Sequence, residues 1–533
     1  MAAPKTPRVS KHAKNIGIVS GLTMLSRVLG LVRESLTARA FGVNALVSAF
    51  FTGFTLPNLF RRLLAEGGLT AAFVPTINEE LHLRQREGAF RLVNQVMTWL
   101  LVVTTALVAF AMIGLSQDGW IRAAGRAFGA DVKTIERWLL AAWFAVMLFP
   151  YLIFVSLAAV FSGALQSLHR FVEPALSPLW LNLAIIGMLV GGARWGHGDQ
   201  ICWLAGGAMI GGFLQMVVPG LALMREGWRP RLDFQVNDPI RAMLRLMAPT
   251  VFSSSIYLVN MSMSRVIGLS LNDAAVSVLN YAQRLMELPI GVFAVAVSTV
   301  VFPLISRYAA AGDRANLARS YGKGLRLILV INIPAAAGLV VLAEPIIRVI
   351  FQHGRFDPDA TAMMAPVLIA NGVGLPFLSF ANLALRAFYA QKDTAVPMRA
   401  AMLSFVINLV LSIALMGPLS TLGLAIASSV AAVAQAFFLQ WHLTRKDGSL
   451  AFRGHLRDLV KIAVASAGMT AVVALGWRAW ATTVPAAKVA DTFGLLTLVA
   501  LGAMVYGGFV WMLRIEGRED VAALWAKLRG RAA

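Results

Sequence analysis

Long apolar runs recur along the whole chain and constrain its fold more than any other feature. The hydrocarbon core of a bilayer is about 30 Å thick, so a helix needs about 20 apolar residues to cross it. About fourteen such runs are present, at residues 16–38, 44–79, 93–115, 137–165, 174–193, 201–224, 243–270, 276–304, 324–350, 361–390, 398–417, 420–442, 459–478 and 492–513. With 58% hydrophobic and 14% charged residues, the sequence predicts an all-α polytopic membrane protein.

Alternate connections between these runs are basic, and this alternation predicts the topology. The connection at residues 225–241, for example, carries four arginines. Because cytoplasmic loops carry an excess of Lys and Arg, we place the basic loops in the cytoplasm, together with an N-terminal tail of residues 1–14 and a C-terminal tail of residues 515–533. The connection at residues 116–136 has mixed charge and lies outside by parity. The net charge of +21 therefore reflects membrane topology and does not indicate a nucleic-acid partner.

Two loop motifs occur twice in the chain. Pro75 in AFVPTINEEL and Pro303 in VVFPLISRYA are 228 residues apart. Arg170 and Lys392 lie in similar basic turns, each followed by a proline that opens the next helix, and they are 222 residues apart. These near-equal offsets predict duplication of a unit of six spans.

The repeat predicts how the chain is divided. The two copies form an N-lobe at residues 15–228 and a C-lobe at residues 240–443. Six is an even number, so both copies insert the same way up, which is an arrangement of transporters that bind their substrate between the repeats. The last two spans, at residues 458–514, lie outside the repeat.

A charged segment, Leu56 to Gly68, lies inside the second apolar run and reads LPNLFRRLLAEGG. On a helix, Arg62 and Glu66 are four residues apart and can pair, whereas Arg61 points about 100° away and has no acid at helical spacing. A proline before the charges and two glycines after them weaken the helix. We interpret the segment as a broken span that lines a cavity and leaves Arg61 available to a ligand.

The first apolar run also contains charged residues. Ser26 and Arg33 are seven residues apart, close to two helical turns, and so are Arg27 and Glu34. Arg27 and Glu34 therefore share one helix face, and Arg33 is expected to point elsewhere.

The seventh and eighth runs add Arg265 and Arg284, and Glu287 lies one turn after Arg284. Arginine thus outnumbers acid within the apolar runs. The guanidinium group matches phosphate oxygens with a planar set of donors and stays charged when buried. Three guanidinium groups that we expect to be unpaired, those of Arg27, Arg61 and Arg284, therefore predict an anionic ligand, a diphosphate. For Arg62 and Arg265, a structural role as a snorkelling side chain or a member of an ion pair fits as well as a role in binding the ligand.

Two other classes of protein would need different residues. A cation-coupled drug exporter is expected to carry carboxylates in its cavity. A polyprenyl-diphosphate enzyme would need paired carboxylates to bind Mg²⁺, and the sequence contains no such motif. The single cysteine, Cys202, excludes an internal disulfide and a multi-cysteine metal site. We expect a transporter without a cofactor or a metal, and not an enzyme.

Some polar residues outside the charged runs carry weaker predictions. The segment FQHGRFDPD at residues 351–359 is expected to form an outer turn, because Gly354 and Pro358 are turn residues. Asn182 and Asn408 each follow a matched proline by a turn or more. We expect these asparagines either to form hydrogen bonds across helices or to line a small cavity.

Several motifs together resemble the MurJ (MviN) family of lipid II flippases. The similarity extends from the region of residue 15 to the end of the chain, and the first two motifs are the most specific. The motifs are SRVLGLVRE at residues 26–34, LPNLFRRLLAEG at 56–67, AFVPTI at 72–77, QRLMELPIGVF at 283–293 and FQHGRFD at 351–357.

This resemblance implies a MATE-like fold of the MOP superfamily. Such a fold has two six-helix lobes, a central cationic cavity and two C-terminal helices that border a groove for the lipid tail. The expected substrate-binding residues are Ser26, Arg27, Arg33, Arg61, Glu66 and Arg284, and the secondary residues are Glu34, Arg62, Arg265 and Glu287.

The resemblance also implies a function. The expected substrate is lipid II, an undecaprenyl diphosphate-linked muropeptide. The protein is expected to move it from the inner to the outer leaflet of the bacterial cytoplasmic membrane. It is expected to act as a monomer, with membrane lipids as its other partners. A related exporter of another polyprenyl-linked oligosaccharide or of drugs shares the fold and stays an alternative. Ser48 and Gln283 occupy positions where the family often has aspartate. Their presence removes two acids available to a coupling ion and leaves the cavity more cationic.

Overall fold

A computed structural model of the chain describes residues 8–61, 70–195, 200–296, 301–451, 456–485 and 487–515. Within these residues the fold is helical and has no strand. The helices are α1 (Arg8–Phe41), α2 (Ala45–Arg61), α3 (Thr70–Leu115), α4 (Asp118–Ala127), α5 (Val132–Leu148), α6 (Tyr151–Ser167), α7 (Val172–Trp195), α8 (Gln200–Arg225), α9 (Asp238–Leu271), α10 (Ala275–Ala296), α11 (Phe302–Ala310), α12 (Arg314–Val341), α13 (Ala343–Ile350), α14 (Pro358–Ala390), α15 (Ala395–Lys446), α16 (Leu456–Thr483) and α17 (Lys488–Met512).

The described part of each predicted span falls on one or two of these helices. Among the described residues, eight helices are long and apolar enough to cross a bilayer, or nine if α5 and α6, bent by 45°, form one span. Helices α1, α2, α9 and α10 are not among them. Those four helices carry every predicted intramembrane arginine that the structure describes.

Two long helices contain a break. Helix α3 breaks at Arg84 and Gln85, where the φ of Gln85 is 57°, and α15 breaks at Ser420, where φ is 51°. A non-glycine residue rarely adopts this left-handed backbone, and here it separates one straight helical segment from the next. Ser420 thus divides the predicted spans 398–417 and 420–442 at the expected place.

Side-chain caps fix the start of several helices. Asp131, Asn237, Asp313 and Asp357 each accept a hydrogen bond from the backbone amide three residues later. This satisfies one of the amides that lack a partner in the first turn of a helix. These four positions therefore set where α5, α9, α12 and α14 begin.

The ends of some predicted elements differ from the structure. Helix α1 begins at Arg8, within the predicted tail of residues 1–14. The predicted connection at residues 116–136 contains the helix α4 and the start of α5. The sequence analysis missed α4 because ten residues are too few to form a span, and its charged side chains suggested a loop.

Contacts divide the chain into a first unit, Met1–Ser277, and a second unit, Val278–Ala533. The division lies inside α10, so α9 belongs to the first unit by its contacts. The lobe boundary between residues 228 and 240 stays a prediction from the sequence repeat.

The core of the first unit lies mainly between α3, α6 and α8. Phe73 and Phe161 are buried there, and Trp228 from the connection after α8 packs against the same cluster. The indole Nε1 of Trp228 donates to Asn94 Oδ1 at 2.9 Å. This hydrogen bond holds the connection between α8 and α9 against α3.

The core of the second unit lies between α12, α14, α15 and α16. The buried Tyr321 hydroxyl of α12 donates to Gln440 Oε1 of α15 at 2.8 Å. Two ion pairs join the last two helices to this unit: Arg326 Nε with Asp458 Oδ2 at 3.3 Å, and Arg348 Nη2 with Asp491 Oδ2 at 3.1 Å. Because Asp458 and Asp491 lie in the first turns of α16 and α17, both helices are held near their N-terminal ends.

The sequence repeat has a counterpart in the backbone. His169, in the turn before α7, has a φ of 61°, and Lys392, in the turn before α15, has a φ of 58°. Both residues end a helix with the same rare left-handed conformation. The two matched basic turns therefore reverse the chain in the same way.

Candidate functional site

Asn182 of α7 connects two of the predicted substrate-binding residues of α1. Arg33 Nη1 donates to Asn182 Oδ1 at 3.2 Å. Asn182 Nδ2 donates to the main-chain oxygen of Ser26 at 3.0 Å and approaches Ser26 Oγ at 3.5 Å. Asn182 is 4% exposed. Asn182 thus forms the interhelical hydrogen bond that was one of its two expected roles.

Glu34 forms an ion pair with its neighbour Arg33 through Oε1 and Nη2. The prediction that Arg33 points away from Glu34 is therefore wrong. The Cβ atoms of adjacent helical residues are about 100° apart, but the long arginine side chain bends across that angle. Glu34 is buried, and its Oε2 has no hydrogen-bond partner. The guanidinium group of Arg33 thus has one partner on its own helix and one on α7.

Arg61 lies at the end of α2, where the described part of the charged segment stops. Its Nε donates to Asn58 Oδ1 at 3.2 Å, and Asn58 Nδ2 donates to the main-chain oxygen of Phe54 at 2.9 Å. Helix α2 continues through Pro57. The interpretation that Arg61 is simply available needs revision, because Asn58 orients its side chain. Arg62 and Glu66 lie outside the described residues, so their pairing stays a prediction.

Three further residues of the first unit complete the predicted set there. Arg27 is partly buried on α1. Arg265 Nη1 donates to the main-chain oxygen of Val276 at 3.3 Å, which joins α9 to the start of α10. Ser48, at a position where the family often has aspartate, is fully buried and donates to the main-chain oxygen of Asp273 at 2.7 Å. Ser48 therefore joins α2 to the connection between α9 and α10.

In the second unit, Arg284 Nη1 contacts Glu287 Oε2 one turn later on α10. Arg284 therefore pairs with the acid one turn away, and the expectation that its guanidinium group is unpaired is wrong. The side chain of Arg284 is 18% exposed and that of Glu287 is 39% exposed. Gln283, the second departure from the family pattern, is exposed.

The FQHGRFD segment forms the predicted turn and packs against α10. Gly354 has a φ of 65°, which a residue with a Cβ adopts only with strain. Phe351 and Phe356, at either end of the turn, lie 5.3 and 6.0 Å from the ring of Tyr281 between centroids. All three rings are buried. Because Tyr281 precedes Arg284 by one helical turn, the aromatic cluster supports the part of α10 that carries this arginine.

The second unit also contains an apolar cavity of about 430 Å³. Helices α12, α13, α16 and α17 surround it, and its lining includes Pro334, Gly338, Met469 and Val499. The one hydroxyl in the lining, that of Tyr506, donates to the main-chain oxygen of Val330 at 2.7 Å. The cavity is therefore suited to hydrocarbon and not to a charged group.

Sequence reasoning missed a buried arginine. Arg137 of α5 is 9% exposed; its Nη1 contacts Asp273 Oδ1 at 3.1 Å, and its Nη2 donates to Thr134 Oγ1 at 2.7 Å. The only signal in the sequence was a charge at the first residue of an apolar run. Its acidic partner lies 136 residues away in the chain, so spacing could not identify it.

Comparisons with known proteins identify the family of the chain. A family model described as lipid II flippase MurJ matches residues 37–490. The probable lipid II flippase MurJ of Rhizobium meliloti is 32% identical over 512 residues, which cover 92% of this chain and 92% of the relative. The lipid II flippase MurJ of Burkholderia cenocepacia is 30% identical over 511 residues, 93% of this chain and 96% of the relative.

Solved structures show the same relationship. A lipid II flippase MurJ in an inward closed conformation is 26% identical, with a TM-score of 0.76 over 94% of this chain and 99% of that one. An inward-facing multidrug resistance MATE family transporter of the MOP superfamily is 17% identical, with a TM-score of 0.60 over 81% of this chain and 94% of that one. The second likeness concerns the fold alone, and the predicted MATE-like fold is confirmed. The chain belongs to the MurJ family of lipid II flippases.

Proposed function

We propose that this protein is a flippase that moves lipid II from the inner to the outer leaflet of the bacterial cytoplasmic membrane by alternating access. Membership of the MurJ family supports this function. The single observation that carries it is the arrangement of Arg33, which a buried asparagine of α7 and a buried glutamate of α1 hold in place. In this proposal the protein transports lipid II without changing it chemically, and transport needs no cofactor.

The arginines are the proposed site for the diphosphate of the lipid. An arginine keeps its charge at any physiological pH, so it needs either an internal acid or an anionic ligand beside it. The side chains of Arg33 and Arg284 are 17% and 18% exposed, so each is largely withdrawn from solvent but still accessible. We propose that both bind the diphosphate, together with Arg27 and Arg61. Release then requires the arginines to move apart, because they cannot lose their charge.

The apolar cavity between α12, α13, α16 and α17 is the proposed site for the polyprenyl tail. The tail comes from the bilayer and not from water, so the cavity need only offer it apolar contacts and no unpaired polar group. The Tyr506 hydroxyl is occupied by the main chain of α12 and offers no group to a charged ligand. The tail and the diphosphate therefore bind at chemically different places.

A flipping assay with labelled lipid II in proteoliposomes tests the proposal. Arg33→Ala and Arg284→Ala should each lower the rate of flipping by about tenfold or more, since a hydrogen bond to a charged group is worth about 1.5–3 kcal/mol. Arg33→Lys should also impair flipping, because it keeps the charge and loses the paired donors.

The matched control is Arg122→Ala. Arg122 lies 3.7 Å from Asp118, and both side chains are about half exposed or more, at 49% and 63%. This variant should flip lipid II at the normal rate. Full activity of both Arg33→Ala and Arg284→Ala would contradict the diphosphate site. Faster transport of a drug, or of another polyprenyl-linked sugar, than of lipid II would contradict the substrate assignment.

A further inference from the structure

Asn182 is a buried amide of α7 whose two polar atoms both contact α1. We propose that Asn182 is a positioning residue of the substrate site, which sets the place and the plane of the Arg33 guanidinium group. The inference rests on the proposed function, because it assigns a role to the partner of a proposed substrate-binding arginine. It adds a residue of α7 to a predicted site whose described residues lie on α1, α2 and α10.

The geometry of α1 explains how one asparagine reaches both residues. Ser26 and Arg33 are about 10 Å apart along the axis, since each helical residue rises about 1.5 Å. Helical side chains lean toward the N-terminus, so the side chain of Arg33 extends back toward Ser26. Its guanidinium group then meets Asn182, whose other end bonds to the main-chain oxygen of Ser26.

The chemistry of the two partners fixes the orientation of the amide. An arginine can only donate hydrogen bonds, and a main-chain oxygen can only accept them. Asn182 must therefore turn Oδ1 toward Arg33 and Nδ2 toward Ser26, as observed. Aspartate has no donor for Ser26, and leucine has neither group. At 4% exposure, water does not readily replace a lost partner.

Asn182 and Glu34 together fix the guanidinium group. Nη1 of Arg33 bonds to Asn182 and Nη2 bonds to Glu34, so contacts from two helices define the plane of the group. An arginine has five N–H donors, and these two contacts leave the other three for a ligand. A cation that is already oriented loses less conformational freedom when the ligand binds. Asn182 therefore acts on affinity for the diphosphate through Arg33.

Gln215 of α8 provides a matched control within the same unit. It is a buried amide whose Nε2 donates to the main-chain oxygen of Ser177 at 3.0 Å, and its Oε1 accepts from Tyr151 at 3.2 Å. Like Asn182, it bonds to the main chain of a serine on another helix, and it joins α8 to both α7 and α6. Unlike Asn182, it forms no hydrogen bond with a predicted site residue that the structure describes.

The first test compares Asn182→Leu with Gln215→Leu in the full-length protein. Thermal unfolding should show similar losses of stability, because each variant removes a bridging amide of the same kind. In proteoliposomes with lipid II, Asn182→Leu should raise the KM of flipping by about tenfold with little change in the maximal rate, as expected for a weakened contact to a charge. Gln215→Leu should leave KM unchanged. Equal changes of KM in the two variants would show that Asn182 has only a structural role and would overturn the inference.

The second test is a double-mutant cycle with Arg33→Ala. If Asn182 acts through Arg33, Asn182→Leu should cause no further rise in KM when Arg33 is already alanine. Independent, additive effects would overturn the inference. An Arg33→Ala variant with normal KM would instead contradict the proposed diphosphate site, so the two failures can be distinguished.

Asn182→Asp provides a third variant that preserves the shape of the side chain. Its carboxylate keeps an acceptor for Arg33, loses the donor to Ser26 and adds a charge that competes with the diphosphate. KM should rise at least as much as in Asn182→Leu. A normal KM in Asn182→Asp would overturn the inference even if the leucine variant does not fold.

Discussion

The first unit holds Arg33 from a neighbouring helix, whereas the second unit holds Arg284 from its own helix. Arg33 has a partner on α7 that is 149 residues away in the chain, in addition to the adjacent Glu34. Arg284 contacts Glu287, three residues later on α10. The two arginines are almost equally exposed, so burial does not explain the difference. Two arginines of similar exposure thus obtain their partners differently: Arg33 obtains one by the packing of α7 against α1, and Arg284 obtains its partner by helical spacing on α10.

A second difference concerns the short helices α4 and α13. Helix α4 lies between α3 and α5, and α13 lies between α12 and α14, so they occupy matching places in the repeat. Arg348 of α13 pairs with Asp491 of α17 and lies 5.5 Å from the ring of Trp477 of α16. On and beside α4, Trp120 and Phe128 are exposed. The two extra helices therefore cover one copy of the repeat and enclose the apolar cavity.

The largest expected effect concerns this cavity. A Cβ on Gly338 would meet no atom within 4 Å and Gly338 lines the cavity, so a phenylalanine there can extend its ring into the cavity. We expect Gly338→Phe to lower flipping more than the other variants named below, because the ring would occupy the space that we propose for the polyprenyl tail. The control is Gly187→Phe on α7 of the first unit, a position that is equally open. A similar loss of flipping in both variants would remove the distinction between the units.

A smaller effect separates the two ways of holding an arginine. Glu287→Ala removes a partner from Arg284, whereas Glu34→Ala leaves Arg33 with its bond to Asn182. We expect Glu287→Ala to raise the KM of flipping by about tenfold, because Arg284 loses a hydrogen bond between charged groups. Glu34→Ala should raise the KM less, because Arg33 keeps its hydrogen bond to Asn182. Kinetics in proteoliposomes measure both. A larger rise for Glu34→Ala would show that tertiary support of Arg33 is the weaker of the two.

The next effect is on stability and concerns the covering helices. Asp491→Asn should lower the free energy of unfolding by about 1–3 kcal/mol, because Arg348 is left with a neutral partner at a mostly buried position. Asp118→Asn on the counterpart α4 should change it by less than about 0.5 kcal/mol, since the pair with Arg122 is exposed. Thermal unfolding in detergent measures both. Equal changes would argue against a structural role of α17 in the second unit.

The smallest expected effect concerns a feature that the two units share, an aspartate that caps a helix. Asp131 and Asp357 cap the helices that follow α4 and α13, through the amides of Thr134 at 3.1 Å and Ala360 at 2.8 Å. Asp131→Ala and Asp357→Ala should lower the unfolding temperature slightly and by similar amounts. A clear difference between the two changes in unfolding temperature would show that the two caps do not contribute equally to stability.

The cap at Asp131 should also depend on pH. The hydrogen bond with the Thr134 side chain, and then that with the Thr134 amide, hold the pKa of Asp131 below its ordinary value. A lowered pKa stabilises the folded protein fully above the ordinary value of about 3.9, and this stabilisation is lost as the pH falls through the lowered pKa. The difference in unfolding temperature between wild type and Asp131→Ala should therefore shrink in acid. A difference that stays constant down to pH 3 would contradict this.

The sequence predicted the features that depend on local spacing. Apolar run length located the helices, and helical spacing placed Glu287 one turn after Arg284, where the structure shows an ion pair between them. The motif resemblance identified the family. Where long side chains can bend, spacing failed, and Arg33 pairs with Glu34 although the two residues start from different directions on the helix.

By itself, then, the sequence determined that this chain is a helical membrane protein whose apolar helices carry arginines, because hydrophobic length and helical period are properties of short segments. The tertiary structure decided which partner each buried charge has. Asn182 reaches Arg33, and Arg137 reaches Asp273, only after helices distant in the chain have packed side by side. The apolar cavity likewise exists only because four separate helices surround it. No local spacing encodes such contacts, since they depend on the relative position of whole helices.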